Sequence, residues 1–500
     1  MAWTITRDLK FAHSLQVVFH VKVVRDVNEL DSTHRRRRFW MAVAAIGAVQ
    51  FAWHGATLTQ TFVLDDFTWL ACAARSRQSP GNIFTLEVSG FLRPVVHLAF
   101  LANYACCGMS AWGYYAVNVV LEIAGTVAFS ALALRLTGSG VAAVCAAALF
   151  AGHHSHGEVV SWISARTSSL LAIWTLIAIL AWLRWRASGR IRWWSLALTA
   201  FLLALLTKEE AVALLPILLV VDRLRGPDAA TGSPRPRSWT WTLGSLAPFG
   251  VLLAAYLAMQ LSVQSRNALV AAGDYEFGPS ALARWLDRGS GLFVVKRAAA
   301  SPWRELTLAA LIAVGWFVLR RGPSALRRTA LLGCVMSQLA LLPTAGFTSH
   351  DASRYFYVAS IGSSLAWAAV IAGAATALRP GRAVSLAIIL AATATLLTHL
   401  HDQRRRTQSF RDRSEANHAI IAAARDMQSV WRTARESDAH LCFVHAPLGD
   451  IEMRGLLWLV GRVEGSRIHF AVGWPTDGAC GVEDSIRITW NDEGRCFTPG

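Results

Sequence analysis

Apolar blocks close to 20 residues long recur along most of this 500-residue chain, and that spacing constrains its fold more than any other feature. A helix needs about 20 apolar residues to cross a bilayer. Helices and closed barrels are the only structures that satisfy their own backbone there. The first block runs from Phe39 to Leu58, interrupted only by Gln50 and His54, and follows the cationic run His34-Arg35-Arg36-Arg37-Arg38. Further blocks lie near 113–135, 139–154, 167–187, 192–207, 210–222, 239–263, 303–320, 327–343, 355–378 and 382–400. The pattern predicts an all-α polytopic membrane protein with about 11 transmembrane helices. The chain is 54% hydrophobic and 16% charged, where a soluble chain carries about a quarter charged residues.

Cations hold a span end in the cytoplasm. With the N-terminus inside, the predicted inner loops hold Arg135; Arg184, Arg186, Arg190 and Arg192; Arg223, Arg225, Arg235 and Arg237; Arg320, Arg321, Arg327 and Arg328; and Arg379 and Arg382. An odd span count puts the C-terminal tail outside. Residues 1–38 show no clear apolar signal-peptide core, so the first span reads as an uncleaved anchor. The short segment Pro94 to Cys107 reads as an interfacial helix rather than a crossing. The net charge of +16 is scattered over short loops, which fits topology and attraction to membrane lipid and argues against nucleic acid.

The tail from His401 changes character. Residues 402–436 are charged, with apolar residues at helical spacing, and strand-like runs follow at Leu441–Val444, Leu456–Val460 and Ile468–Val472. These predict a small extracytoplasmic α/β domain over 401–500. Among its three cysteines a Cys480–Cys496 disulfide is the expected pairing.

Sorting polar residues by side gathers chemistry on the outer face: Asp65, Asp66, Arg93, His97, His153, His154, His156, Glu158, Arg166, Lys208, Glu209, Glu210, Arg354 and Tyr355. Ionisable groups at span ends are costly unless paired or facing water. Carboxylates for proton abstraction beside cations for an anionic leaving group suit transfer from a membrane-held phosphate donor. Each feature also has a structural reading. Asp65-Asp66 before Phe-Thr-Trp-Leu is good N-cap chemistry, Lys208-Glu209-Glu210 suits a solvated turn, and Arg354 beside Tyr355 suits an interfacial anchor. His153, His156 and Glu158 permit a divalent metal without requiring one. The predicted span centres are nearly uncharged apart from Glu122, unlike a transporter pathway.

Four runs carry a resemblance: Phe91-Leu92-Arg93-Pro94-Val95-Val96; Leu149-Phe150-Ala151-Gly152-His153-His154-Ser155-His156-Gly157-Glu158 continuing to Trp162-Ile163-Ser164-Ala165-Arg166; Thr207-Lys208-Glu209-Glu210; and Arg354-Tyr355-Phe356-Tyr357. In order and setting they resemble polytopic glycosyltransferases of the GT-C superfamily. They look most like its protein O-mannosyltransferase-like branch, whose members often bear tetratricopeptide tails. The resemblance covers 39–400, read as a transmembrane catalytic domain with a first extracytoplasmic loop at 59–112, after a cytoplasmic basic segment at 1–38. His154 stands where the family usually has Pro, Ala359 replaces another Pro, Ser353 stands where Glu is common, and the repeat tail is missing.

The resemblance implies an inverting transfer of one sugar from a polyprenyl-phosphate donor to a hydroxyl acceptor, protein or glycan, on the extracytoplasmic face, with no required cofactor. A multi-pass protein of a bacterial inner membrane is the expected setting. Asp65 is the leading general base and Asp66 its orienting or alternative carboxylate. Arg93, His153, His156, Arg166, Lys208 and Arg354 are the expected donor-phosphate ligands, and Glu209 and Tyr355 support them. Glu158 is expected to hold Arg166 or a histidine. A flippase for a lipid-linked sugar and a non-catalytic scaffold are the competing readings.

Overall fold

The computed structural model describes residues 33–86, 91–224, 238–264, 275–276, 278–293, 312, 315–316, 320–348, 352–377, 382–437, 439–470 and 485–499. The expected span over 303–320 falls almost wholly outside the described residues, as do Cys480 and most of the N-terminal segment.

Six stretches are long and apolar enough to cross a membrane: His34–Thr59, Trp112–Thr137, Ile163–Ser188, Trp239–Val263, Ser324–Gly346 and Ser353–Thr376. Pro94–Cys107, Gly140–Ala151 and Ile191–Leu205 are shorter apolar helices. In chain order the helices are α1 (Thr33–His54), α2 (Asp66–Gln78), α3 (Pro94–Cys107), α4 (Trp112–Thr137), α5 (Gly140–Ala151), α6 (Ser155–Ser161), α7 (Arg166–Ser188), α8 (Ile191–Leu205), α9 (Leu214–Leu224) and α10 (Trp239–Gln264). They continue as α11 (Pro279–Gly291), α12 (Ser324–Leu341), α13 (Phe356–Ala377), α14 (Arg382–Asp426) and α15 (Gln428–Glu436). Large apolar side chains stay exposed on the outer helices, among them Met41, Phe51, Val120, Val251 and Leu261. In a soluble protein such faces would be a liability; lipid is their natural solvent.

Close backbone contact fixes the inner helices. A Cβ on Gly333 of α12 would lie 2.5 Å from the Gly362 carbonyl of α13, and one on Gly362 would lie 2.5 Å from the Gly333 carbonyl. Small residues at such a crossing let two helices meet where lipid offers no hydrophobic drive. At the Arg-rich ends, the buried Arg186–Asp222 pair sits 2.7 Å apart. Trp182 and Thr242 also donate to Asp222, at 3.2 and 3.1 Å.

The tail differs from expectation in three ways. First, α14 runs 45 residues without a break at 400/401, so the last apolar block and the charged segment beyond it form one rod. Second, Leu456–Val460 is helical, inside α16 (Asp450–Gly461), rather than a strand. Glu452 accepts the Gly449 backbone N–H at 3.0 Å, an N-terminal cap. Met453, Leu456 and Leu457 turn one fully buried face inward at i, i+3, i+4 spacing. Third, Cys442 is disulfide-bonded and Cys496 keeps a free thiol, which replaces the expected Cys480–Cys496 pairing. The four strands β1 (His440–His445), β2 (Ile468–Phe470), β3 (Ser485–Asn491) and β4 (Cys496–Pro499) order as β2-β1-β3-β4. β1 is parallel to β2 and β3, and β4 returns antiparallel. This unit docks on α2: a Cβ on Gly455 would lie 2.8 Å from the Phe67 backbone.

Candidate active site

The acid pair sits at the mouth of α2, and its two members do different things. The chain enters through a tight turn in which Leu64 takes a left-handed φ of 54°, strained for a branched-chain residue. Asp66 is fully buried. Its Oδ2 accepts the Val63 N–H at 3.0 Å, and its Oδ1 accepts the Ser164 N–H at 2.8 Å and the Ser164 hydroxyl. Burial pushes its carboxyl up to about 7 against those hydrogen bonds. Asp65 occupies the N-cap position but makes no side-chain cap bond. Its Oδ1 is buried without a hydrogen-bond partner among the described residues. Burial raises its carboxyl above the ordinary carboxylate range, with Arg354, a side-chain hydrogen bond from Ser164 and then Arg93 holding the rise in check.

Arg354 and Arg93 act on this carboxylate, Lys208 joins them through Arg93 and the Tyr355 ring, and each of the three cations is matched to one glutamate. Arg93, fixed ahead of Pro94 at the first position of α3, forks onto Glu209 with contacts of 2.6, 2.9 and 3.1 Å. Lys208 Nζ lies 2.6 Å from Glu210 Oε1 and donates to Ser168 Oγ at 3.1 Å. Burial lowers the Lys208 ammonium, offset in part by Glu210. Arg354 Nη1 lies 2.6 Å from Glu158 Oε1, while the Ser353 hydroxyl and the Arg354 N–H donate to Glu158 Oε2 at 2.6 and 3.3 Å. Burial works to raise Glu158, but Arg354 and Ser353 outweigh it and hold it low. Tyr355 joins the cations: its ring centre lies 5.5 Å from Lys208 Nζ and 5.1 Å from the Arg354 guanidinium. The Arg354 guanidinium also lies 4.8 Å from the Trp162 ring.

Asp65, Arg93, Lys208, Glu209, Glu210, Arg354, Tyr355 and Glu158 thus form one electrostatic cluster. Three cation–glutamate pairs balance in charge, leaving Asp65 as the acid of this cluster without its own ion pair among the described residues. Other expected ligands lie elsewhere. Arg166 is fully buried and donates to Asn118 at 3.1 Å, to the Tyr114 carbonyl at 2.9 Å and to Asn103. Its partner is therefore not Glu158. His156 is buried against Glu122 at 2.5 Å, in a network where Gln50 and Tyr357 also donate to Glu122, each at 2.7 Å. His153 faces Ser155 at 2.8 Å and packs against His154 and His399. All three are committed to interior contacts rather than to the cluster around Asp65.

Sequence reasoning missed Ser164, which holds Asp66, and Ser353, which holds Glu158. Ser164 sat inside a run already singled out, two residues before Arg166, and Ser353 directly precedes the run that begins at Arg354. It also missed α14. Ser414 Oγ accepts the Thr61 N–H at 2.8 Å, and Asn417 Nδ2 donates to the Phe62 carbonyl at 2.9 Å. Phe410 stacks on Trp162 with centroids 5.8 Å apart. The rod beyond the last apolar block therefore braces the loop that carries the acids. Nothing local in the sequence marks those residues.

Comparison with known proteins bears on this arrangement. No family model matches the chain. It is 35% identical over 165 residues to Protein O-mannosyl-transferase Tmtc2 of Drosophila melanogaster, a match covering 31% of this chain and 18% of that protein. It is 32% identical over 136 residues to Protein O-mannosyl-transferase TMTC2 of Homo sapiens, covering 26% of this chain and 16% of that protein. The matches thus span less than a fifth of these curated relatives. Among solved structures it resembles ArnT from Cupriavidus metallidurans bound to undecaprenyl phosphate, with a TM-score of 0.53 and 13% identity, over 90% of this chain and 93% of that one. That likeness is one of fold.

Proposed function

We propose that this protein is an integral-membrane glycosyltransferase that moves a single sugar from a polyprenyl-phosphate donor to a hydroxyl acceptor on a protein or glycan. One observation carries the reading. Asp65 presents a buried carboxylate oxygen with no hydrogen-bond partner among the described residues, in the electrostatic reach of Arg354 and Arg93. A base must be free to accept a proton, and a leaving phosphate needs cations close by. The names of the curated relatives and the lipid-phosphate bound to ArnT support the substrate class.

Asp65 takes the proton from the acceptor hydroxyl as that oxygen attacks the anomeric carbon from the face opposite the phosphate, so configuration inverts. The bond from the anomeric carbon to the phosphate oxygen breaks, and the lipid phosphate leaves with its electron pair. Arg354, Lys208 and Arg93 neutralise the departing charge; Arg forks suit phosphate, and Lys supplies a compact charge. Glu158 and Glu209 hold the two arginines in place before the donor arrives. Asp66 fixes the turn that aims Asp65. Eleven spans, a cytoplasmic N-terminus and an extracytoplasmic site and tail in a bacterial inner membrane complete the reading, in line with the distribution of arginines.

The test is direct. Purified protein is offered a panel of radiolabelled polyprenyl-phosphate sugars, with and without a chelator, and consumption of each is followed. One donor should be consumed by the native protein and not by the Asp65→Asn variant. Full transfer by both Asp65→Asn and Asp66→Asn would overturn the assignment.

A further inference from the structure

We propose that His153, His154 and His399 form a transition-metal site of the zinc class, separate from the cluster around Asp65. The three rings are buried, and one ligand atom from each lies within 4.8 Å of the others. His153 and His154 sit in the turn between α5 and α6, and His399 lies 245 residues beyond His154 on α14. The geometry of one pair makes the case. Nδ1 of His154 and Nδ1 of His399 are 2.9 Å apart, while their ring centroids are 5.1 Å apart with planes only 18° from parallel. Such a long centroid separation with such a short nitrogen contact places the rings side by side, with the two nitrogens facing each other. Facing lone pairs repel, so something positive lies between them: a single proton or a metal ion.

Zn–N bonds of about 2.0–2.1 Å in a tetrahedral site hold two nitrogens roughly 3.3 Å apart. The separation is within a few tenths of an ångström of that value, and both rings turn off their present line to aim their lone pairs at the ion. The third ring lies against both, with centroids 4.3 Å from His154 and 4.6 Å from His399. Its tilts of 35° and 29° mean that a side-chain rotation completes the set. The outer contacts match a ligand set as well. His153 Nδ1 meets Ser155 Oγ at 2.8 Å and Nε2 lies 3.4 Å from the Leu292 carbonyl, so His153 gives up one of these contacts when a ring nitrogen turns to the ion. His399 is hydrogen-bonded to the Phe293 backbone. Oxygen partners of this kind fix the tautomer and orientation of metal-bound imidazoles. An all-imidazole set selects zinc, copper or nickel over magnesium or calcium. A bound ion would tie the α5–α6 turn to α14 just before the stretch that braces Thr61 and Phe62.

The protein in detergent, freed of metal by chelation, is incubated with zinc, desalted and assayed for metal by mass spectrometry. About one zinc per chain is expected for a single three-histidine site. His399→Ala and His154→Ala should abolish it, whereas His440→Ala, which breaks the other close histidine pair (2.7 Å to His469), should keep it. Ser155→Ala should weaken zinc binding about 10- to 100-fold. Because a histidine variant can fail to fold, the unmodified protein supplies the second readout: chelation should lower its melting temperature and zinc should restore it. No retained zinc, copper or nickel, together with a chelator-insensitive melting temperature, would leave a proton-sharing histidine pair and overturn the proposal. Zinc that survives His399→Ala would overturn it too. None of these readouts depends on sugar transfer.

Discussion

The two adjacent acids should separate cleanly under the same substitution. Asp65→Asn keeps volume and shape and removes only the base. Its Oδ1 has no hydrogen-bond partner among the described residues, and an amide oxygen can still accept from Ser164, so little folding energy is at stake. General-base assistance is worth about 10²–10⁴ in rate, or roughly 2.7–5.4 kcal/mol of barrier at 1.36 kcal/mol per tenfold. The expected outcome is a loss of kcat in that range with donor KM and melting temperature nearly unchanged. Asp66→Asn meets a different environment. Its two oxygens accept from Val63 N–H, Ser164 N–H and the Ser164 hydroxyl. An amide offers one oxygen and turns its NH₂ toward at least one of those donors. Leaving a buried donor unpaired costs about 1–3 kcal/mol, so Asp66→Asn should lower the melting temperature first and turnover through it. Steady-state transfer and thermal unfolding of both variants decide the matter. The pH profile adds a sign. The Asp65 carboxyl is raised by burial and acts only when ionised, so kcat/KM should fall as pH drops through a value above the ordinary carboxylate pKa of about 3.9. That acidic limb should vanish in Asp65→Asn. A stable Asp66→Asn that loses all turnover, beside a fully active Asp65→Asn, would refute the division of roles.

Three further outcomes test the surroundings. Glu158→Gln removes the charge that holds Arg354 at 2.6 Å, so donor KM should rise about tenfold to a hundredfold with a smaller change in kcat, on the scale of a charge-assisted hydrogen bond of about 1.5–3 kcal/mol. Ser414→Ala combined with Asn417→Ala frees the Thr61 and Phe62 backbone groups. Turnover should fall about tenfold or more with KM retained, as expected when a reacting group loses its position, and Ser414→Thr alone should restore most of the Ser414 part. Gly455→Val drives a side chain into the Phe67 and Thr68 backbone, and overpacking of this kind costs about 1–3 kcal/mol. The melting temperature should drop, and α2 should become more open to hydrogen exchange near Asp66.

The sequence by itself determined that this chain lives in a membrane, because long apolar blocks with Arg-rich ends admit few other fates. It also marked most of the polar machinery, since a charged residue at a span end stands out against apolar neighbours. Asp65, Arg93, Lys208, Glu209 and Arg354 were legible for that reason. Pairing was not legible. Arg166 and Arg354 look alike in the sequence, yet one is spent on Asn118, Asn103 and Tyr114 while the other meets Glu158. Which cation finds which acid depends on side-chain positions set by helices far apart in the chain, and no local pattern encodes that. The same holds for α14. Its apolar spacing announced a helix, but only the packed structure runs it unbroken past residue 400 and aims Ser414 and Asn417 at the acid loop. Local propensity also misled at Leu456–Val460, where an apolar run suits a strand or a buried helix equally. An N-terminal cap at Gly449 and the close seat of Gly455 on α2 decided for the helix.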